Sequence, residues 1–531
     1  MPGAGSILQQ NQPLLPPAPS RTDTGLSIEQ QGRTPLPAGE SFLVSSIELS
    51  GNKIFSTVIL HALVADSEGT RVTLMQLSQS IARISDYYHS HGYPLTRAII
   101  PAQSVRDGRV RVDVLEARYG QVTLDNHSRV TDPLLQSTLS ALQSGQAIDD
   151  APLNRTLLLL SDVPGVIVIA TLKPGEVVGT SDLQVQTEAT SAMSSNVVID
   201  NTGNRYTGRG QLGGTVSLID PAQHGDVLSL TGLTSGDMSY GSLSYESLLN
   251  GEGTRVGGAY SALHYVLGAP LAALDGHGSA EIESVWARHP FVRSATFNLY
   301  AQLQYDHKQL DDAIGVSDLH TDRHMDNVIA SVSGDLRDTW LSGGVNSWSA
   351  GWTLGHVGFD DVNARSADAA TADTQGRFSL WNASVSRLQR LGASDSLYLT
   401  VVGQLSNANL DPAEKMVAGG FYTVRAYDVG VLSGDTGVLL SAEWRHELGV
   451  VWYGALQLIA FVDTEHVQID HSTWAAGTDS ATLRGAGVGC NWSWPGQWNA
   501  KAYVALPLGP TPTLVGDNNS ARVWLALSKQ L

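Results

Sequence analysis

A single cysteine, Cys490, stands among 531 residues, which excludes an intrachain disulfide and any metal centre built on several thiolates. No run of about 18 apolar residues occurs, so no helix of this chain spans a bilayer. Basic residues are scarce: 32 against 51 acidic ones give a net charge of −19. Nucleic-acid binders show basic clusters, so no nucleic-acid partner is expected. There is no G-x-S-x-G elbow, no H-E-x-x-H pair and no phosphate loop, so catalysis has no motif to stand on. The 15 histidines are scattered. His320 and His324 lie near Asp318, Asp322 and Asp326, a grouping that could ligate a metal through imidazole and carboxylate. A solvated loop accounts for the same residues, and the chain is read as having no catalytic, cofactor or metal site.

What is present is glycine, 54 residues, and tryptophan, 12, in a chain whose mean hydropathy is only −0.06. Membrane barrels hide their apolar surface in alternation, which average hydropathy misses. From about residue 181 the chain runs strand, turn, strand to its end. About 16 candidate strands lie near 193–200, 207–219, 226–234, 239–248, 254–265, 278–287, 295–307, 321–335, 343–356, 376–389, 395–407, 435–447, 455–466, 480–493, 497–506 and 521–530. Phe297, Leu299, Ala301, Leu303 and Tyr305 share one face of a strand, with Thr296, Asn298, Gln302 and Gln304 opposite. One face suits lipid and the other a wet lumen. Every second connection is brief, such as NGEG and WPGQ, whereas the opposite set includes the long stretches 308–320, 357–375 and 468–480. That asymmetry marks a barrel with short turns on one side of a membrane.

Ahead of the strands lie other textures. Residues 1–12 are weakly helical, and 13–41 are rich in proline, serine and threonine and read as a linker. Residues 42–117 form an α+β unit. Leu74, Leu77, Ile81, Ile84 and Tyr88 fall on one helical face, and Gly92 ends that helix. Val110, Val112 and Val114 alternate with Arg109, Arg111 and Asp113 as in a half-buried strand. Residues 118–180 repeat the plan, with helical stretches at 132–142 and 153–160 and a strand at 166–172.

Residues 414–437 run EKMVAGGFYTVRAYDVGVLSGDTG, and about 35 residues after Arg425 a strand carries Phe461 and Asp463. Chemistry alone leaves two readings open, a surface loop with an ordinary arginine or a shielded, bidentate arginine–carboxylate pair inside a closed sheet. The stretch resembles the sixth extracellular loop of TpsB two-partner secretion transporters, on Gly419, Gly420, Val424, Arg425, Tyr427, Phe461 and Asp463. Ala426 stands where the family has glycine, and a positive φ there would strain alanine. "YYHSHGYPLTRAIIPAQ" and "GRVRVDVLEA" in 42–117 resemble a POTRA domain.

The resemblance implies a plug helix at 1–12, a linker at 13–41, POTRA domains at 42–117 and 118–180, and a 16-stranded outer-membrane barrel at 181–531. It implies export of an unfolded exoprotein, namely an adhesin, haemolysin or contact-dependent toxin, received by the periplasmic POTRA domains. Arg425 and Asp463 would lock the loop, supported by Gly419, Gly420, Val424, Ala426, Tyr427 and Phe461. Further partners would be outer-membrane lipid and the barrel assembly machinery, although Leu531 stands where most such barrels end in an aromatic residue. MPGAGSILQQ has neither a basic segment nor an apolar core, so a mature or trimmed form is expected. A BamA-like insertase and a passive porin are the alternative readings.

Overall fold

A computed structural model describes residues 2–11, 15–29, 40–516 and 520–531. Met1 and Gln12, and the linker positions 13, 14 and 30–39, lie outside the described residues.

Within residues 42–117, the helix Leu74–Ser90 starts at Thr73, whose hydroxyl accepts from the Gln76 N–H while the Gln76 side chain bonds back to the Thr73 N–H. That reciprocal cap satisfies two donors that a helix start leaves orphaned. Leu77, Ile81, Ile84 and Tyr88 are buried, the face the spacing predicts. They pack on a sheet in which Ser46–Ser50 runs parallel to Arg109–Leu115 and Arg97–Ile99 antiparallel to it. Val110, Val112 and Val114 supply the sheet's buried face. The Tyr88 hydroxyl donates to buried Glu116, and burial followed by that bond pushes the phenol's pKa up.

The next unit is a four-stranded sheet ordered Leu26–Ile28, Val166–Pro174, Thr180–Ala189, Arg118–His127, with helices Asp132–Leu139 and Asp150–Ser161. Two sequence readings are corrected here. Thr180–Ala189 is not the opening of the barrel but an inner strand of this sheet, with Leu183, Val185 and Thr187 buried. The barrel starts at Met193 rather than near residue 181. Within the expected linker, Leu26–Ile28 is a strand parallel to Val166–Pro174, with Ala170 N–H donating to Gly25 O and Glu29 N–H to Leu172 O. An edge strand's unpaired backbone recruits such a segment whatever its side chains.

Sixteen strands among the described residues close into an antiparallel barrel, from Met193–Asp200 round to Arg522–Gln530. Leu303, Tyr305, Val328 and Leu354 face outward and are exposed. Their neighbours Asn298, Asp306, Asn327 and Asp335 face inward and are buried. The expected loop 308–320 is largely strand: Phe297–Ile314 and Leu319–Asp338 pair from end to end around the turn Gly315–Ser317. Past Tyr305 the outward positions become His307, Gln309 and Asp311, which reads as loop by polarity. The inward positions Lys308, Leu310 and Asp312 keep partners in the lumen, so pairing continues. At the other end Gly454–Gln468 begins after a two-residue turn, Trp452 and Tyr453, both with positive φ (47° and 64°). Such a turn matches the twist of its flanking strands.

Candidate functional site

The segment between strands Asp395–Ser406 and Thr436–Val451 folds into the lumen. Its stem is a short antiparallel pair, Met416–Ala418 with Leu432–Gly434. Its tip turns on Gly419 (φ 84°) and Gly420 (φ 123°), values that residues with a Cβ rarely adopt. A Cβ on Gly419 would also stand 2.6 Å from the Asp428 carbonyl oxygen.

The turn aims Arg425 at the wall. Its Nε lies 2.9 Å from Asp463 Oδ2 and its Nη2 2.7 Å from Oδ1, a two-pronged pair. Nη1 reaches Glu443 Oε1 at 2.6 Å, and Glu443 is held in turn by Arg445. The Ser441 hydroxyl donates to Asp463 Oδ1 at 2.8 Å. The guanidinium lies over the Phe461 ring, 3.5 Å from its centroid. The Arg425 carbonyl accepts from Trp524 Nε1 on the last barrel strand at 2.7 Å. Asp463 is fully buried and Arg425 nearly so. Charge-assisted bonds in a screened site are stronger than surface pairs, and a buried carboxylate left alone is costly.

The structure therefore brings together Arg425, Asp463 and Phe461, with Val424, Ala426 and Tyr427 in the apolar cluster around them. Ala426 is buried and does not have the positive φ that would strain it. Gly419 and Gly420 shape the tip without touching Asp463. Of His320, His324, Asp318, Asp322 and Asp326, the residues Asp322, His324 and Asp326 line one cavity, but the five do not form one cluster: His324 pairs with Asp360, Asp326 with His307, and His320 lies 3.7 Å from Asp318. Among the described residues no cluster of His, Cys, Asp or Glu is placed to hold a metal.

Sequence reasoning missed the groups that hold the loop's base. Lys308 pairs with Glu414 at 2.6 Å, and Arg323 bridges Asp411 at 2.5 Å and Asp312 at 2.8 Å. Lys415 meets Asp435 at 3.1 Å and Asp470 at 3.0 Å. It also missed Asp428, met by Arg209 at 2.8 Å, Arg522 at 2.9 Å and Arg205 at 3.8 Å. The available signal was one of parity: Lys308 and Arg323 fall on lumen-facing positions, where an unpaired charge is unwelcome.

The helix Ala4–Asn11 also lies against lumen-facing residues. Ala4 N–H donates to Asp312 Oδ1 at 2.7 Å, Gln9 bonds the Ala413 carbonyl, and Asn204 donates to Gln10 Oε1 at 2.6 Å. Ala4, Gly5, Ile7 and Leu8 are buried.

Residues 179–492 match the family of haemolysin secretion/activation proteins ShlB/FhaC/HecB, and residues 42–117 match the POTRA domain of ShlB type. The heme/hemopexin transporter protein HuxB of Haemophilus influenzae is 26% identical over 495 residues, 92% of this chain and 86% of that one. The outer membrane transporter CdiB of Dickeya dadantii is 24% identical over 475 residues, 85% of this chain and 80% of its own. The solved structure of CdiB from Escherichia coli superposes with a TM-score of 0.72 at 20% identity, covering 94% of this chain and 93% of that one. With a closed barrel behind a POTRA domain and a match over more than half its length, the chain belongs to the ShlB/FhaC/HecB family, the outer-membrane translocators of two-partner secretion.

Proposed function

We propose that this translocator carries an unfolded exoprotein through a lumen that is closed at rest by two removable parts, the helix Ala4–Asn11 and the loop bearing Arg425. The observation that carries the reading is the Arg425–Asp463 pair, which fixes the loop tip deep inside the wall. The helix acts as a plug and leaves before transit. The unit built on Arg118–His127 and Val166–Pro174 acts as a second POTRA domain. Client segments bind these modules by strand addition, which recognises backbone and needs little sequence. The pairing of Leu26–Ile28 with the outer edge of Val166–Pro174 supports strand addition as the mode. The cargo is a secreted adhesin, haemolysin or contact-dependent toxin. Outer-membrane lipid and the barrel assembly machinery are the other partners, and no step of catalysis is assigned to the chain.

Export of the cognate exoprotein by Arg425→Glu tests the reading. Reversal places a third carboxylate beside Asp463 and Glu443, so secretion falls while the barrel still inserts. Normal secretion by that variant would remove the lock from the mechanism.

A further inference from the structure

Residues 15–19 read Leu-Pro-Pro-Ala-Pro. Prolines carry no backbone N–H, so this stretch has few donors to satisfy. Ser20 follows at once, and each of its three polar groups is taken. Its N–H donates to Asp335 Oδ1 at 3.0 Å and its hydroxyl to the same oxygen at 2.6 Å. The hydroxyl also lies 3.0 Å from the Tyr300 hydroxyl, and the Ser20 carbonyl accepts from Arg337 Nη2 at 2.5 Å.

The socket is braced from behind. The second oxygen of Asp335 accepts from Asn298 Nδ2 at 3.0 Å and Arg337 Nη1 at 2.7 Å. Asn298 Oδ1 accepts from Arg293 Nη1 at 3.1 Å. Asp335, Asn298 and Arg293 are each at most 2% exposed. These groups come from the end of Gly276–Arg293, the start of Phe297–Ile314 and the end of Leu319–Asp338, so they sit at the periplasmic rim. Ala4, by contrast, is held by Asp312 near the far end of Phe297–Ile314. The N-terminal segment is thus pinned at two points on one strand, roughly 40 Å apart at about 3.3 Å per residue.

We propose that Ser20 is the latch of the plug, a positioning residue whose socket on the barrel wall keeps the helix Ala4–Asn11 seated. This rests on the reading of that helix as a plug. Bonds to an ionised carboxylate are stronger than neutral ones, and two of the four go to Asp335. While they hold, the helix is tethered close to its seat and rebinds. Once they break, the helix moves on a longer tether, held next at Leu26–Ile28.

The test is ion conductance of the full chain in planar bilayers. Deletion of residues 4–11 should raise the fraction of time open well above wild type, with the loop bearing Arg425 still in the lumen. Ser20→Ala, which removes the hydroxyl and leaves the backbone, should raise the fraction of time open about tenfold over wild type. Ser20→Thr keeps the hydroxyl and should stay near wild type. If the deletion opens the pore while Ser20→Ala behaves as wild type, the latch is refuted and the plug stands. If the deletion leaves the fraction of time open at the wild-type level, the plug reading fails and the latch falls with it.

Discussion

The methyl group of Ala426 occupies the space in front of Gly485: a Cβ built on that glycine would come within 2.5 Å of it. Loop and wall are therefore matched as a pair, alanine in the loop against glycine in the strand Ser480–Trp494. Gly485→Ala should push the loop tip away at a cost of about 1–3 kcal/mol. Ala426→Gly should be mild alone and should rescue Gly485→Ala in the double variant. Protease cutting within residues 415–431 on intact cells reads the displacement, and equal cutting in Gly485→Ala and wild type would contradict it.

Arg425→Lys keeps the charge but loses the fork that grips Asp463 and Glu443 together. A single ammonium cannot span both carboxylates and lie flat over Phe461. The variant should release the loop nearly as fully as Arg425→Ala, with about 3–5 kcal/mol of anchoring lost in either case. Trypsin cleavage after position 425 of Arg425→Lys distinguishes this from a lock that needs charge alone, for which the variant would stay as protected there as wild type.

Asp428 is the only loop carboxylate among the described residues that meets Arg205, Arg209 and Arg522 together. Arg205 and Arg209 follow the first barrel strand, and Arg522 begins the last. Asp428→Asn leaves three guanidiniums facing one another, so the temperature at which the barrel unfolds in detergent should drop. Arg522→Ala leaves two of them with their carboxylate and should lower it less. The reverse order would show that repulsion among the arginines is negligible.

The POTRA domain at residues 42–117 should carry its own acid sensitivity. Glu68 accepts from the Ile47 N–H at 2.6 Å and pairs with His61 at 3.1 Å. The backbone bond, and secondarily His61, hold its carboxyl below the usual range against the opposing effect of burial. A depressed folded pKa means that stability is present above the unfolded value, about 4.3, and is lost as pH falls through the folded one. Glu68→Gln should lower the domain's calorimetric transition at pH 7 and lose that effect near pH 3. A constant difference across that window would contradict the assignment.

Much of this was legible in the chain because alternation carries both strand and facing. Phe461 and Asp463 could be set on the lumenal side by parity alone, and each of the sixteen strands overlaps the stretch that turns and alternation assign to it. Legibility failed where the partner lies far off in sequence. The length of Phe297–Ile314 depends on what fills the lumen opposite Lys308, Leu310 and Asp312. The strand Leu26–Ile28 depends on an edge some 140 residues on, visible in the Ser27 contact with Ala170. Ala426 looked like a defect in a motif because its complement, Gly485, belongs to another strand.

Where Met193–Asp200 meets Arg522–Gln530, the strand ladder covers five residue pairs, and Asn201 continues it with its carboxamide. That side chain accepts from the Leu525 N–H and donates to the Val523 carbonyl across 322 positions or more of sequence. The ring is thus completed by the last barrel strand to leave the ribosome. Until those residues are made, the first strand has an unmatched border, and no partial product can hold water out of a bilayer. Synthesis of the first barrel strand and closure of the ring are therefore separated by the whole length of the sheet.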